Sequence, residues 1–271
     1  SEVEDGKLIL SALSGATSEA RSAVEAHVST QLVLRLRGAK FSATPLRTEE
    51  SIIMAILDPI YGTPLAVQLI PQVDRNFAEH LKLRDDQRSI GLLSVDNDDA
   101  TYVAIDEATK MANVEVVYAK SFYAGAKHTS GKWSGEIMAI LAGPDPAEVR
   151  AGLSAAVNYI KTQAIWYSAN DDDSIAFFPH VISRTGTYLS QVCNIPVGTP
   201  IAYLVATPNE GLVALDAALK AANVSIVALT MPPSETNYMG VMLTGDQPAC
   251  RAAATAFQNK VLEVASNPIN Y

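Results

Sequence analysis

Four histidines, two cysteines and two short acidic runs are the side chains of this sequence that could support catalysis or hold a metal. His27, His80, His128 and His180 stand far apart, and none falls in the HExxH spacing that sets two imidazoles on one helical face for zinc. The run Asp96-Asn-Asp-Asp99 invites comparison with a calcium loop, and Glu107 falls at the twelfth position of such a loop. Ala100 and Thr101, however, occupy the places of a ligand and of the turn glycine, so no metal site is expected there. The run reads instead as the capped and charged start of a helix. Asp171-Asp-Asp173 reads as a solvated loop, and Trp166 and Tyr167 as core or interface residues rather than a ligand platform. Neither GxGxxG nor the GxxxxGK phosphate loop occurs. Without a nucleophile and base, a metal cluster or a cofactor loop, the chain is expected not to be an enzyme and to carry no cofactor.

The elements that must position these residues come from an internal repeat. Val103-Ala-Ile-Asp-Glu-Ala-Thr-Lys-Met-Ala-Asn-Val-Glu-Val-Val117 aligns without gaps to the stretch that starts at Val213, an offset of 110, with nine of fifteen pairs identical. Gly143-Pro-Asp-Pro-Ala answers to Gly245-Asp-Gln-Pro-Ala at an offset of 102, so the first copy holds eight extra residues, which fall in the Gly-, Ser- and Lys-containing stretch 119–135. Short apolar runs predict strands at 65–70, 89–95, 114–118 and 136–142 in the first copy, and at 175–181, 200–206, 224–229 and 239–244 in the second. Ala104, Ile105, Ala108, Met111 and Ala112 recur at three- and four-residue spacing, the stripe of a helix packed on a sheet. Asp106 with Lys110, and Asp216 with Lys220, are expected on the outer face of that helix in each copy. Asp145 as N-cap, Pro146 in the first turn and Glu148 as the far member of a capping box open a second, long helix. Short helices are expected at 74–83 and 185–193.

The expected fold is therefore α/β, an α+β sandwich in which each copy sets helices on a mainly antiparallel sheet. The copies span 63–163 and 164–271, after an N-terminal extension 1–62 that matches neither. Within the extension, 17–28 reads as a helix, 31–37 as an edge strand and 51–57 as an apolar segment. A net charge of −9 and the lack of any long basic run argue against nucleic acid and anionic membranes as partners. No apolar run reaches the roughly 18 residues needed to span a bilayer. Two cysteines, Cys193 and Cys250, are too few for a disulfide framework, and a reduced cytosolic setting is expected. With 48% apolar and only 18% charged residues, part of the surface is expected to be covered by other subunits.

Asp106-Glu-Ala-Thr-Lys-Met-Ala-Asn-Val114 and Asp216-Ala-Ala-Leu-Lys-Ala-Ala-Asn-Val224 resemble the helix-to-strand signature of bacterial microcompartment shell domains. Ser94-Val-Asp-Asn-Asp-Asp-Ala-Thr-Tyr102, Ser183-Arg-Thr-Gly-Thr-Tyr-Leu189 and Pro232-Pro-Ser-Glu-Thr-Asn-Tyr238 resemble the tandem branch of that family, from about Pro64 to the C-terminus. The resemblance implies two circularly permuted domains and a homotrimer that forms a pseudo-hexagonal tile. Such a tile packs edge to edge with other shell proteins and controls metabolite passage in a microcompartment of the ethanol- or ethanolamine-utilisation type. It implies edge contacts at Lys110 and Lys220. It places Ser121, Phe122, Tyr123, Ala124, Gly125, Ala126, Lys127 and His128, with Ser234, Thr236 and Asn237, in loops around a central opening. It also places Asp98, Asp99, Glu210 and Glu235 at small acidic pores, where carboxylates favour polar or cationic solutes over anions. The alternative is a trimeric protein that binds or senses a small metabolite.

Overall fold

Runs of alternating apolar residues become ten strands among the described residues, which in this computed structural model are 57–122, 135–171 and 174–270. They are β1 (Pro59–Tyr61), β2 (Pro64–Ile70), β3 (Ser89–Val95), β4 (Glu115–Phe122), β5 (Glu136–Gly143), β6 (Ile165–Ser168), β7 (Ala176–Ile182), β8 (Ile201–Ala206), β9 (Ser225–Thr230) and β10 (Met239–Thr244). The helices are α1 (Arg75–His80), α2 (Asp98–Met111), α3 (Pro146–Thr162), α4 (Thr187–Cys193), α5 (Pro208–Ala221) and α6 (Gln247–Ser266). The predicted helix 17–28, strand 31–37 and nearly all of the apolar segment 51–57 lie outside the described residues.

The first sheet runs β2-β3-β5-β4, and the second repeats that order as β7-β8-β10-β9 with β6 and β1 added beyond β7. Every pairing is antiparallel. Because side chains alternate across a strand, each sheet offers two faces. Leu93, Val95, Ala139 and Leu141 meet Ala104 and Ile105 of α2 and Val149, Leu153 and Ala156 of α3. In the second sheet Leu204, Val241 and Leu243 meet Ala214 and Ala218 of α5 and Ala253 and Phe257 of α6. Helices with small side chains let these layers close tightly. At Gly91 an added Cβ would lie 2.7 Å from Leu153 Cδ1 and 2.8 Å from Val149 Cγ1, so only glycine lets α3 sit this near β3.

The two sheets differ on their other faces. In the second, Trp166, Phe178, Tyr203, Val205 and Met242 are covered by Ala100 and Val103 of α2 and by Leu189 and Cys193 of α4. The two halves thus join by α2 being apolar on two sides. On the first sheet the matching face holds a small cluster of Ile90, Ile140 and Ala142 under Val73, Leu81 and Leu83, and leaves Leu92 and Met138 partly exposed.

Two local expectations are corrected. Asp145 does cap α3, accepting from the Ala147 and Glu148 amides at 2.7 and 3.0 Å. Glu148 does not close a capping box, because its carboxylate accepts from the Asn113 amide at 2.6 Å and ties α3 to the turn before β4. Asp106 is not on an outer face but fully buried, because α4 from the second half packs against it. Its two carboxylate oxygens accept from the Gly186 amide at 2.7 Å and the Leu189 amide at 2.9 Å. Gly186 is the N-cap of α4 and has no side chain to cap the helix itself, so Asp106 supplies the missing acceptor from the other half.

Candidate functional site

The start of α2 builds the site. Asn97 caps the helix by accepting from the Ala100 amide at 2.9 Å, and its carbonyl takes the Thr101 hydroxyl at 2.6 Å. That cap fixes the first turn and turns Asp98 and Asp99 into the seam between the halves, where they are 5% and 8% exposed. A cavity of about 160 Å3 opens there, lined by Asp98, Asp99 and Tyr102 of α2, Ser121 of β4, Tyr203 of β8, and Ser234, Glu235, Thr236 and Tyr238 of the loop between β9 and β10. The volume admits a few waters or one small organic molecule. Asp98 Oδ1 accepts from the Asp99 amide at 2.9 Å, and the Tyr203 hydroxyl donates to Asp99 Oδ1 at 2.5 Å.

Burial governs the electrostatics of this cavity. It pushes the Asp99 carboxyl up to about 6, against the pull of the Tyr203 hydrogen bond. Asp98 is also raised well above the usual carboxylate range, first by burial and then by the charge of Asp99, with a Ser121 hydrogen bond opposing. Burial and the charge of Asp98 also push Tyr102 up to about 12. Among the described residues no Lys, Arg or His pairs with either aspartate. Nor does any group of three His, Cys, Asp or Glu side chains suit a metal ion among them.

The linkage has a definite sign. Both folded carboxyls bind protons more tightly than in the unfolded chain, so their contribution is greatest in acid and is lost as pH rises past the folded value, about 6 for Asp99. Asp98→Asn, which mimics the protonated form, is therefore expected to raise the melting temperature at pH 8. The gain should shrink towards zero near pH 4, as followed by thermal melts across that range.

The structure brings Asp98, Asp99 and Glu235 to one cavity, and Glu210 does not line it. Glu210 lies in the first turn of α5 and accepts from the Thr207 hydroxyl at 2.5 Å. Ser121, Ser234 and Thr236, read as central-loop residues, line this same cavity. Phe122 ends β4 and Asn237 holds a left-handed turn, while Tyr123, Ala124, Gly125, Ala126, Lys127 and His128 lie outside the described residues. Tyr102, Tyr203 and Tyr238 were missed. A tyrosine in the otherwise apolar strand Ile201–Ala206 was the available signal, because a buried hydroxyl needs a partner.

The two repeat lysines sit differently. Lys110 Nζ donates to the Arg184 carbonyl at 3.0 Å and pairs with Glu107 and Asp106. Among the described residues Lys220 pairs with Asp216, at 2.5 Å, and its side chain is 74% exposed. A second cavity, of about 330 Å3, is lined by Arg84, Glu115, Thr187 and Gln191 among others. Arg84 there pairs with both Asp86 and Glu115. No helix among the described residues is long and apolar enough to cross a membrane.

The doubled sandwich and its repeat signature have a counterpart in known proteins. The BMC domain family matches residues 89–169 and again 205–269, and the chain belongs to that family of bacterial microcompartment shell proteins. Within it, the chain is 51% identical to the shell protein EutL of Escherichia coli K12, over 80% of this chain and 99% of that one. The crystal structure of the ethanolamine utilization protein EutL from Leptotrichia buccalis is 56% identical, with a TM-score of 0.76 over 80% of this chain and 100% of that one. EtuB from Clostridium kluyveri shares 23% identity and a TM-score of 0.62 over 74% of this chain and 88% of that one, a likeness of fold. Of the two pathway types the sequence left open, the ethanolamine type is the one supported.

Proposed function

We propose that this shell protein is a structural subunit rather than an enzyme, that three copies close into a pseudo-hexagonal tile, and that the tile passes small polar or cationic solutes through acidic pores. Six domains around the ring follow from two per chain, divided as 63–163 and 164–271 after the extension 1–62. One observation carries the reading: Val103 of α2 is 1% exposed, while Val213, its repeat partner on α5, is 47% exposed. Val103 is covered because α2 lies on the second sheet. The equivalent surface on the first sheet, around Leu92 and Met138, is left partly exposed. Seating α5 of one copy on the first sheet of the next repeats the internal contact and closes a ring. In that arrangement Glu210, which aligns with the buried Ala100, falls at the junction between copies.

The cavity at Asp98, Asp99 and Glu235 is then the passage inside each copy, and the loops holding Ser121 to His128 and Ser234 to Asn237 face the central opening. Lys220 is free to lie across a neighbouring tile, and Lys110, already bonded to the Arg184 carbonyl, is the stiffer edge contact. Neighbours along these edges are other shell proteins of the same microcompartment. Light scattering of the purified chain should return the trimer mass, and electron microscopy of concentrated protein should show flat tiled sheets. A monomer that never forms sheets would overturn the reading. A second reading, a trimer that senses a small metabolite, draws on the enclosed acidic cavity, and stoichiometric tight binding without sheets would favour it.

A further inference from the structure

We propose that the Asp98–Asp99 pair holds one proton while the cavity is empty, and that a small organic cation entering the cavity displaces it, so that loading the passage releases a proton. The inference rests on reading the cavity as a passage for cations. Its own basis is the geometry of the pair. The two residues are consecutive in the first turn of α2, nearly buried, and both line one cavity of about 160 Å3. Like charges on adjacent, nearly buried residues resist ionising together without a counter-ion.

No fixed counter-ion faces them among the described lining residues. From α2 itself comes Tyr102, from β4 the Ser121 hydroxyl and from β8 Tyr203. The loop between β9 and β10 adds Tyr238 and Glu235, the latter a further negative charge at the exposed rim. The tyrosines are raised by burial and stay neutral. The hydroxyl partners also divide the roles within the pair. Tyr203 has one proton to give and gives it to Asp99, which favours Asp99 as the carboxylate. Ser121 can either accept from or donate to Asp98, so it serves the protonated and the ionised forms alike. The proton therefore rests on Asp98, and an ammonium group in the cavity supplies the positive charge that both carboxylates lack. On entry the Asp98 O–H bond breaks, its proton passes to solvent, and the pair becomes a dicarboxylate around the cation.

Calorimetry of the full chain with ethylammonium as probe, and neutral ethanol as control, tests this. At pH 7.5, above the Asp99 value, titrations in buffers of different ionisation enthalpy should give up to about one proton released per cation bound, and affinity should rise up to about tenfold per pH unit between pH 7 and 8. Asp98→Asn should bind more weakly, with no proton release and no pH slope. Should that variant fold poorly, Asp99→Asn removes the like charge that helps keep the proton on Asp98 and should release less than the parent chain at the same pH. Ethylammonium binding without proton release in the parent chain would overturn the inference and leave the passage reading intact. Ethanol binding as tightly as ethylammonium would overturn the inference alone, and neither binding at any pH would overturn both. Proton release on potassium chloride alone would overturn the assignment to an organic cation.

Discussion

Val213→Asp should yield a folded monomer where the parent chain is expected to form trimers. The reasoning starts from the repeat. Val103 and Val213 occupy the same position on equivalent helices, yet only Val103 is covered within the chain. The α5 residues that hold the second half together are its neighbours Ala214, Leu215 and Ala218, so a charge at 213 leaves that core untouched. Once α5 is seated on the next copy, the same carboxylate is buried against Leu92 and Met138 with no partner. A buried unpaired charge costs several kcal/mol, and about 4 kcal/mol weakens each contact roughly a thousandfold. Light scattering should show the monomer mass, with circular dichroism and melting temperature close to the parent. Val103→Asp places the same charge inside the chain and should lower stability by roughly 3 kcal/mol or more. If Val213→Asp leaves the trimer intact, α5 does not form the contact between copies.

The second large effect is expected at Asp106. Truncation to Ala removes both carboxylate oxygens from the start of α4, leaving the Gly186 and Leu189 amides unpaired inside the seam while the Thr187 amide keeps the Thr109 hydroxyl. Hydrogen bonds to a charged acceptor are worth roughly 1.5–3 kcal/mol each, and the cost of burying this carboxylate, which raises its pKa, offsets part of that. A net loss of roughly 2–4 kcal/mol corresponds to a fall in melting temperature of roughly 5–12 °C for a chain of this size. Asp216→Ala, at the same repeat position, removes only an exposed pair with Lys220 and should cost under about 0.5 kcal/mol. Equal shifts for the two variants would mean that the cap across the seam contributes nothing. Gly186 belongs to the same device. A Cβ there would sit 2.3 Å from Thr109 Oγ1 and 2.5 Å from the Asp106 carbonyl, so glycine is what lets the two helices touch.

The strands and long helices were legible because the repeat states each of them twice. The predicted strands 89–95 and 239–244 coincide with β3 and β10, and Asp145 caps α3 as expected. What escaped lies where distant segments meet. The four-residue spacing of Asp106 and Lys110 is that of a solvent-facing pair on an isolated helix, and nothing local announces that α4 will cover it. Glu148 obeys the spacing of a capping box but finds a better donor at Asn113, outside its own helix. Asp98 and Asp99 were placed at an acidic pore by resemblance, whereas their burial and their hydroxyl partners come from β4 and β8, which only the folded chain brings alongside. Glu210 shares their acidity and lacks their surroundings, so type alone could not separate it from them.

Pro208 and Asn209 stand in the second half where Asp98 and Asp99 stand in the first. A ring of identical domains repeats any substitution at every position, so it cannot place an acid pair in some seams and spare the rest. Two copies in one chain escape that restriction: the first half carries the acid pair while its twin carries Pro208 and Asn209. The doubled chain can thus evolve a doorway without loosening the wall around it.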